Sequence, residues 1–138
     1  MYILDTNVLT LILKYPGQYP HLLRRVRRTA YEHIWISAIS VEEAMRGAFK
    51  LRDQKNNPSG CYKLIAWIVR EYGKYQILPY DDEDIRIFEG FPPAIRRAAS
   101  PQDRRIAATG IRHGYSIVTQ NTRDFRLTGV CCEDWTVL

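Results

Sequence analysis

Acidic residues occur at four separate places in this sequence where a chain commonly leaves a strand or enters a helix. Asp5 directly follows the apolar residues 2–4, Glu42 and Glu43 follow "HIWISAISV", Asp103 follows "SPQ", and Asp124 follows "QNTR". A carboxylate at the end of a buried strand is costly unless a partner compensates it. If these carboxylates meet, two of them at about 4 Å repel each other by about 4 kcal/mol at an effective dielectric of ~20, so they need a cation.

The cation that such a cluster would bind is a hard one. Its ligands would be oxygens, because the three histidines are scattered and form no helix-spaced pair with one another or with the three cysteines, so that no zinc site is predicted. Oxygen ligands favour Mg²⁺ or Mn²⁺, which keep several waters and contact substrate phosphates. The chemistry that follows is metal-dependent hydrolysis of a phosphodiester bond.

Each acidic residue also has a structural explanation when it is taken alone. Ser40 with Glu43 has the spacing of a capping box, and Ser100 before a proline with Asp103 begins a helix equally well. An aspartate directly after a strand is a common helix cap. The last aspartate could pair with a neighbouring arginine. A functional site, in contrast to a set of separate helix caps, requires that all four acidic residues lie close together in the folded chain.

Alternating strand and helix patterns predict an α/β fold with a mostly parallel central sheet and helices on both faces, hence three αβα layers. The predicted strands are residues 2–4, 33–37, 75–78, 115–119 and a short last strand at 135–138. The predicted helices are residues 9–14, 20–29, 41–51, 61–72, 82–88 and 101–113. In such a sheet ligands bind beyond the carboxyl ends of the strands, where Asp5 and Asn121 are expected.

Composition and charge narrow the class of protein. With 138 residues, 46% of them hydrophobic and 25% charged, residues 1–138 are expected to form one globular domain in the cytoplasm, with no membrane partner. The net charge of +5 favours polyanionic partners without establishing one. The stretch "RRVRR" at 24–28 fits either a phosphate contact or the exposed face of an ordinary amphipathic helix.

Four stretches resemble PIN-domain ribonucleases, most of all the VapC-type toxins of bacterial toxin-antitoxin pairs. They are "YILDTNVL", "ISAISVEEAMRGA", "SPQDRRIAATGIRHGYSIVTQNTRDF" and the closing "EDW". The resemblance runs from residue 2 to residue 135, and residues 52–95 carry little of its pattern. It implies a three-layer αβα PIN-like domain.

The resemblance also implies roles for individual residues. Many relatives have an aspartate two positions after Thr119, where this chain has Asn121, so the fourth carboxylate is expected to be Asp124. The implied catalytic and metal-binding residues are Asp5, Glu43, Asp103 and Asp124. The implied supporting residues are Thr6, Asn7, Thr119 and Asn121. The expected phosphate-contacting residues are Arg104, Arg105 and Arg123.

The activity that the resemblance implies is an Mg²⁺- or Mn²⁺-dependent endoribonuclease, silenced by a small cognate antitoxin and typically homodimeric. The helix "CYKLIAWIVREY" is a candidate for a dimer or antitoxin contact. Two alternatives stay open. One is a catalytically silent PIN-fold module that binds RNA or a partner; the other is an Mg-dependent phosphatase, which is disfavoured because Asn7 occupies the place of its acidic proton donor.

Overall fold

A computed structural model describes residues 1–137 and shows an all-parallel sheet between two layers of helices. The strands are β1 Tyr2–Leu4, β2 Ile34–Ser37, β3 Gln76–Leu78, β4 Ser116–Val118 and β5 Cys132–Glu133. The helices are α1 Thr6–Lys14, α2 Pro20–Arg28, α3 Ala38–Asp53, α4 Pro58–Tyr72, α5 Asp82–Glu89, α6 Pro93–Ala98, α7 Pro101–His113 and α8 Thr122–Leu127, with a 3₁₀ turn at Tyr31–His33. The strands lie in the order β3-β2-β1-β4-β5, which makes β1 the central one.

Alternate residues of each strand point to opposite faces, so the sheet separates two apolar cores. Leu4 and Val118 pack with α1 to α4, whereas Ile3 and Ile117 pack against the α7 side of the sheet. Both faces of β1 are therefore buried, which explains its short continuous apolar run. The predicted three-layer αβα fold with a parallel sheet is confirmed.

Most predicted elements are present, and the exceptions have physical reasons. The last strand is β5 at Cys132–Glu133 and not residues 135–138: Trp135 instead is buried in the core beside Tyr2, and Leu138 lies outside the described residues. Two helices of six residues each, α6 and α8, were not predicted, because so short a segment shows less than two turns of periodicity.

The start of α3 corrects one structural explanation. Ser37, the last residue of β2, accepts a hydrogen bond from the amide of Ile39 and caps the helix, which begins at Ala38. Ser40 therefore lies inside the first turn, and the capping box predicted for Ser40 with Glu43 is wrong. The cap predicted at Ser100 is confirmed, since its hydroxyl accepts from the amide of Asp103 at 3.1 Å.

Helix α7 lies close to β4 because a glycine faces the sheet. A Cβ atom on Gly110 would lie 2.8 Å from a methyl carbon of Val130 and 2.9 Å from one of Ile117. Gly114, at φ 69°, then ends the helix in the left-handed conformation, so that the chain turns directly into β4. No helix within residues 1–137 is long and apolar enough to cross a membrane.

Candidate active site

The predicted site residues lie at one edge of the sheet. Asp5 follows β1 directly, Thr119 follows β4, and α3 and α7 carry Glu43 and Asp103 near their first turns. Because all five strands are parallel, their carboxyl ends share this edge, where α/β proteins bind ligands.

Asp5 is fixed at the centre of this edge. Its side chain is 3% exposed; Oδ1 accepts from the amide of Thr6 at 2.8 Å, and Oδ2 accepts from the hydroxyl of Thr119 at 2.8 Å. Asp5 is thus the cap of α1 as well as a candidate ligand. Burial, aided by the charge of Asp103, raises its pKa from 3.8 to about 6, although the two hydrogen bonds oppose this rise.

Glu43 is positioned through two hydroxyl groups. The hydroxyl of Thr6 donates to Glu43 Oε1 at 3.4 Å and lies 2.8 Å from the hydroxyl of Ser40, which is completely buried. Since Thr6 has a single hydroxyl proton, Ser40 is the donor to Thr6. Burial and the charges of Asp5 and Asp103 raise the pKa of Glu43. Ser40 was missed from the sequence because its spacing to Glu43 matches a cap; Ser37, at the strand end, was the available signal.

Asn121 joins the two remaining carboxylates. Its side-chain amide donates to Asp103 Oδ2 at 3.0 Å and to Asp124 Oδ2 at 3.0 Å. The backbone amide of Asn121 donates to the hydroxyl of Thr119, which in turn donates to Asp5. Burial raises the pKa of Asp103, and the charge of Asp124 raises it further. All four predicted carboxylates therefore face the same polar network.

A polar cavity of about 270 Å³ opens between three of the four carboxylates, and Asp124 is not among the residues that line it. It is lined by Asp5, Thr6, Asn7, Glu43, Ser100, Gln102 and Asp103. Within residues 1–137, no three His, Cys, Asp or Glu side chains form a ready-made set of metal ligands. The donor set fits a hard cation nevertheless, because its oxygens belong to carboxyls whose negative charges raise one another's pKa values, and a cation relieves this repulsion.

The three predicted phosphate-contacting arginines are not equivalent. Arg104 and Arg105 are half-buried and lie over the ring of Phe88 at 5.0 and 5.2 Å, so both stabilise the packing of α7 on α5. Arg105 also donates to Gln102, which lines the cavity. Arg123 is exposed on α8. A phosphate contact stays a prediction for all three.

An all-parallel αβα sheet with acidic residues gathered at its carboxyl edge is the arrangement expected of a PIN domain. The family model described as "PIN domain" matches residues 2–130, so the chain belongs to this family. It is 31% identical over 99 residues to Ribonuclease VapC1 of Rickettsia felis, covering 70% of this chain and 71% of that protein. The predicted resemblance to VapC-type PIN domains is confirmed.

Solved structures extend this likeness over the whole chain. A chain of FitAcB from Neisseria gonorrhoeae superposes with a TM-score of 0.74 and 26% identity, covering 100% of each chain. A chain of VapBC-1 from nontypeable Haemophilus influenzae superposes with a TM-score of 0.79 and 20% identity, covering 99% of this chain and 98% of that one; at this identity the likeness concerns the fold.

Proposed function

We propose that this chain is a divalent-metal-dependent endoribonuclease and the toxin of a toxin-antitoxin pair. One observation carries the proposal: carboxylates from four separate segments face a single polar network at the carboxyl edge of the sheet. The relative named Ribonuclease VapC1 supports the reaction class and an RNA substrate, and the cytoplasmic location stays a prediction.

The residues divide into those that hold the cation and those that hold the ligands. Asp5, Glu43, Asp103 and Asp124 would bind Mg²⁺ or Mn²⁺, which supplies a Lewis acid for phosphodiester hydrolysis. Thr119 orients Asp5 through its hydroxyl, as Thr6 orients Glu43. Asn121 orients the other two carboxylates through its amide, and turning that amide over would offer its carbonyl oxygen instead. Asn7 lies exposed on the cavity rim.

The decisive experiment is cleavage of total bacterial RNA with Mg²⁺ or Mn²⁺, with the fragment ends mapped by sequencing. Glu43→Gln removes a proposed ligand, whereas Glu42→Gln changes an exposed neighbour that pairs with Arg46. We expect Glu43→Gln and Asp5→Asn to lose more than the ~10–100-fold that loss of a supporting partner costs, and Glu42→Gln to keep its activity. Equal cutting by all variants, or cutting that persists in chelator, would refute the proposal.

A catalytically silent binding module is the second candidate, and the amide of Asn121 favours it. This amide already satisfies Asp103 and Asp124 by donating to both. Thermal unfolding with Mn²⁺ separates the two functions, because a cation at 100 times its Kd stabilises the fold by about 2.7 kcal/mol. A rise in Tm that Asp5→Asn abolishes supports the nuclease, and an unchanged Tm supports the silent module.

The antitoxin is expected in a groove of about 340 Å³ that adjoins the active-site cavity. Thr6 and Glu43 line both spaces, and Trp67 and Tyr72 of α4 line the apolar end of the groove. The neighbour FitAcB supports a small protein partner. The homodimer stays a prediction for light scattering to test.

A bulky side chain at Gly47 tests the groove, because a Cβ atom there meets no atom within 4 Å and the residue lines it. We expect Gly47→Leu to cleave RNA normally yet escape inhibition by the co-expressed cognate antitoxin. Gln54→Leu, at an exposed position in the connection between α3 and α4 but outside the groove, is the control and should remain inhibited. Inhibition of both variants would exclude this groove.

A further inference from the structure

Helix α2 carries an exposed basic surface that the proposed site does not use. Its nine residues contain four arginines and no acidic residue, and Leu22 and Val26 turn the opposite face toward the core. Three of these arginines are exposed and are called the α2 arginine surface: Arg24, Arg27 and Arg28. The fourth is Arg25.

Arg25 differs from this surface because it has protein partners. It donates to Glu133 at 2.7 Å and lies 4.6 Å from the centre of the Trp135 ring. The three arginines of the α2 arginine surface form no ion pair with any side chain in the described part of the chain. Their charges are thus available to an external anion.

Two hollows flank the α2 arginine surface, and Arg24 and Arg28 line both of them. One, of about 510 Å³, also includes Pro16, Pro20 and Leu23. The other, of about 240 Å³, includes His21 and Trp135. Guanidinium groups beside apolar and aromatic walls can bind phosphates while sugars and bases pack against the walls.

A contact made by Arg25 connects α2 to the strand that pairs next to the carboxylate edge. Glu133, which Arg25 contacts, is in register with Val118 and accepts at its carbonyl from the amide of Thr119. Helix α2 is therefore anchored to the strand end that precedes the site. Cations in the last turn of a helix stabilise it, which is a structural reason for Arg27 and Arg28. This reason accounts neither for Arg24, which lies before the last turn, nor for the two flanking hollows.

A polyanion approaching four carboxylates is repelled unless positive charge lies nearby, and the α2 arginine surface provides it. We propose that this surface binds consecutive phosphates of an RNA strand whose scissile bond lies at the carboxylate edge. The inference rests on the proposed function for the identity of the polyanion. It assigns to α2 the sequence-independent share of substrate affinity.

The test is equilibrium binding of a fluorescein-labelled single-stranded RNA to the full chain carrying Asp5→Asn, measured by anisotropy from about 0.1 to about 1 M salt. The variant replaces all three arginines of the α2 arginine surface by Gln. The control replaces three basic residues on or just after α4, Lys63, Arg70 and Lys74, and so removes the same net charge. Circular dichroism checks that both remain folded.

Three phosphate contacts contribute about 2 to the slope of log Kd against log salt for a single strand. We expect the slope of the α2 variant to be smaller than that of the parent by about 2. Its loss of affinity relative to the parent should therefore be about 100-fold larger at ~0.1 M salt than at ~1 M salt, whereas the control should keep the slope and the affinity of the parent. Equal losses in both variants, or no RNA binding by the parent, overturn the inference. Binding that depends on α2 without any cleavage by the natural chain would refute the nuclease and the scissile bond at the carboxylate edge, and would leave the RNA contact of α2 standing.

Discussion

Substitution of the buried carboxylate at the sheet edge gives a stability prediction whose sign depends on pH. Asp5 has a folded-state pKa of about 6 against 3.8 ordinarily, so the fold favours its protonated form. The loss of folding stability caused by ionisation of Asp5 begins near pH 3.8 and is complete once the pH has risen above about 6. At ~1.4 kcal/mol for each pKa unit, the ionised group lowers the free energy of unfolding by about 3 kcal/mol at neutral pH.

Asp5→Asn removes this charge but leaves one side-chain oxygen where two accepted from Thr6 and Thr119, so one hydrogen bond worth about 1 kcal/mol is lost. In metal-free buffer we therefore expect the variant to be more stable than the parent by about 2 kcal/mol at pH ~7.5 and less stable by about 0.5 kcal/mol at pH ~4. Urea denaturation at both values measures this reversal. Asp82→Asn, at an exposed position, is the control and should change stability by less than about 0.5 kcal/mol.

The reasoning is refuted if the difference in unfolding free energy between Asp5→Asn and the parent is the same at both pH values, or if the parent is the more stable protein at neutral pH without metal. Either result would mean that Asp5 ionises without hindrance in the folded chain. Ionisation of Asp5 at the carboxylate edge would then carry no unfavourable free energy that a bound cation could compensate.

Three further predictions concern packing and buried polar groups. Ser40→Ala should lower stability by about 1–3 kcal/mol because it removes a buried donor to Thr6, and RNA cleavage should fall with it while Ser40→Thr keeps part of both. Gly110→Ala should lower the urea midpoint by the equivalent of about 1–3 kcal/mol, because the new methyl group would lie 2.8 Å from a valine carbon. Arg112→Ala should cost about 3 kcal/mol in thermal unfolding, since it leaves the completely buried Asp84 without its cationic partner.

The elements with clear periodicity were predictable from the sequence. Residues 101–113 form α7 with the predicted bounds, and the apolar residues 2–4 form the central strand. What escaped prediction depends on tertiary contacts. Trp135 looks like a strand residue, yet its ring packs against Tyr2 and its indole nitrogen donates to Glu133.

The candidate site was predictable in its members more than in its contacts. The four carboxylates were named from motif order and strand ends, because parallel strands share one carboxyl edge. The hydrogen bonds from Ser40 through Thr6 to Glu43 were not predicted. Ser37 and Ser40 are three positions apart and both are candidates for the cap of α3, and sequence spacing alone does not select Ser37. The role of Asn121 also depends on a side-chain direction that only the folded chain defines.

The central position of β1 has a consequence for the order in which the protein is made. Asp5 is synthesised long before its hydrogen-bond partner Thr119, which follows 114 positions later. Asp103 and Asp124 belong to the same late part of the chain, as does β4, which completes the pairing of β1. A nascent chain that stops before residue 100 thus contains two of the four carboxylates and an open side on its central strand. The carboxylate edge is completed only after residue 124 has been synthesised, so nascent chains that are shorter than this lack the proposed catalytic machinery.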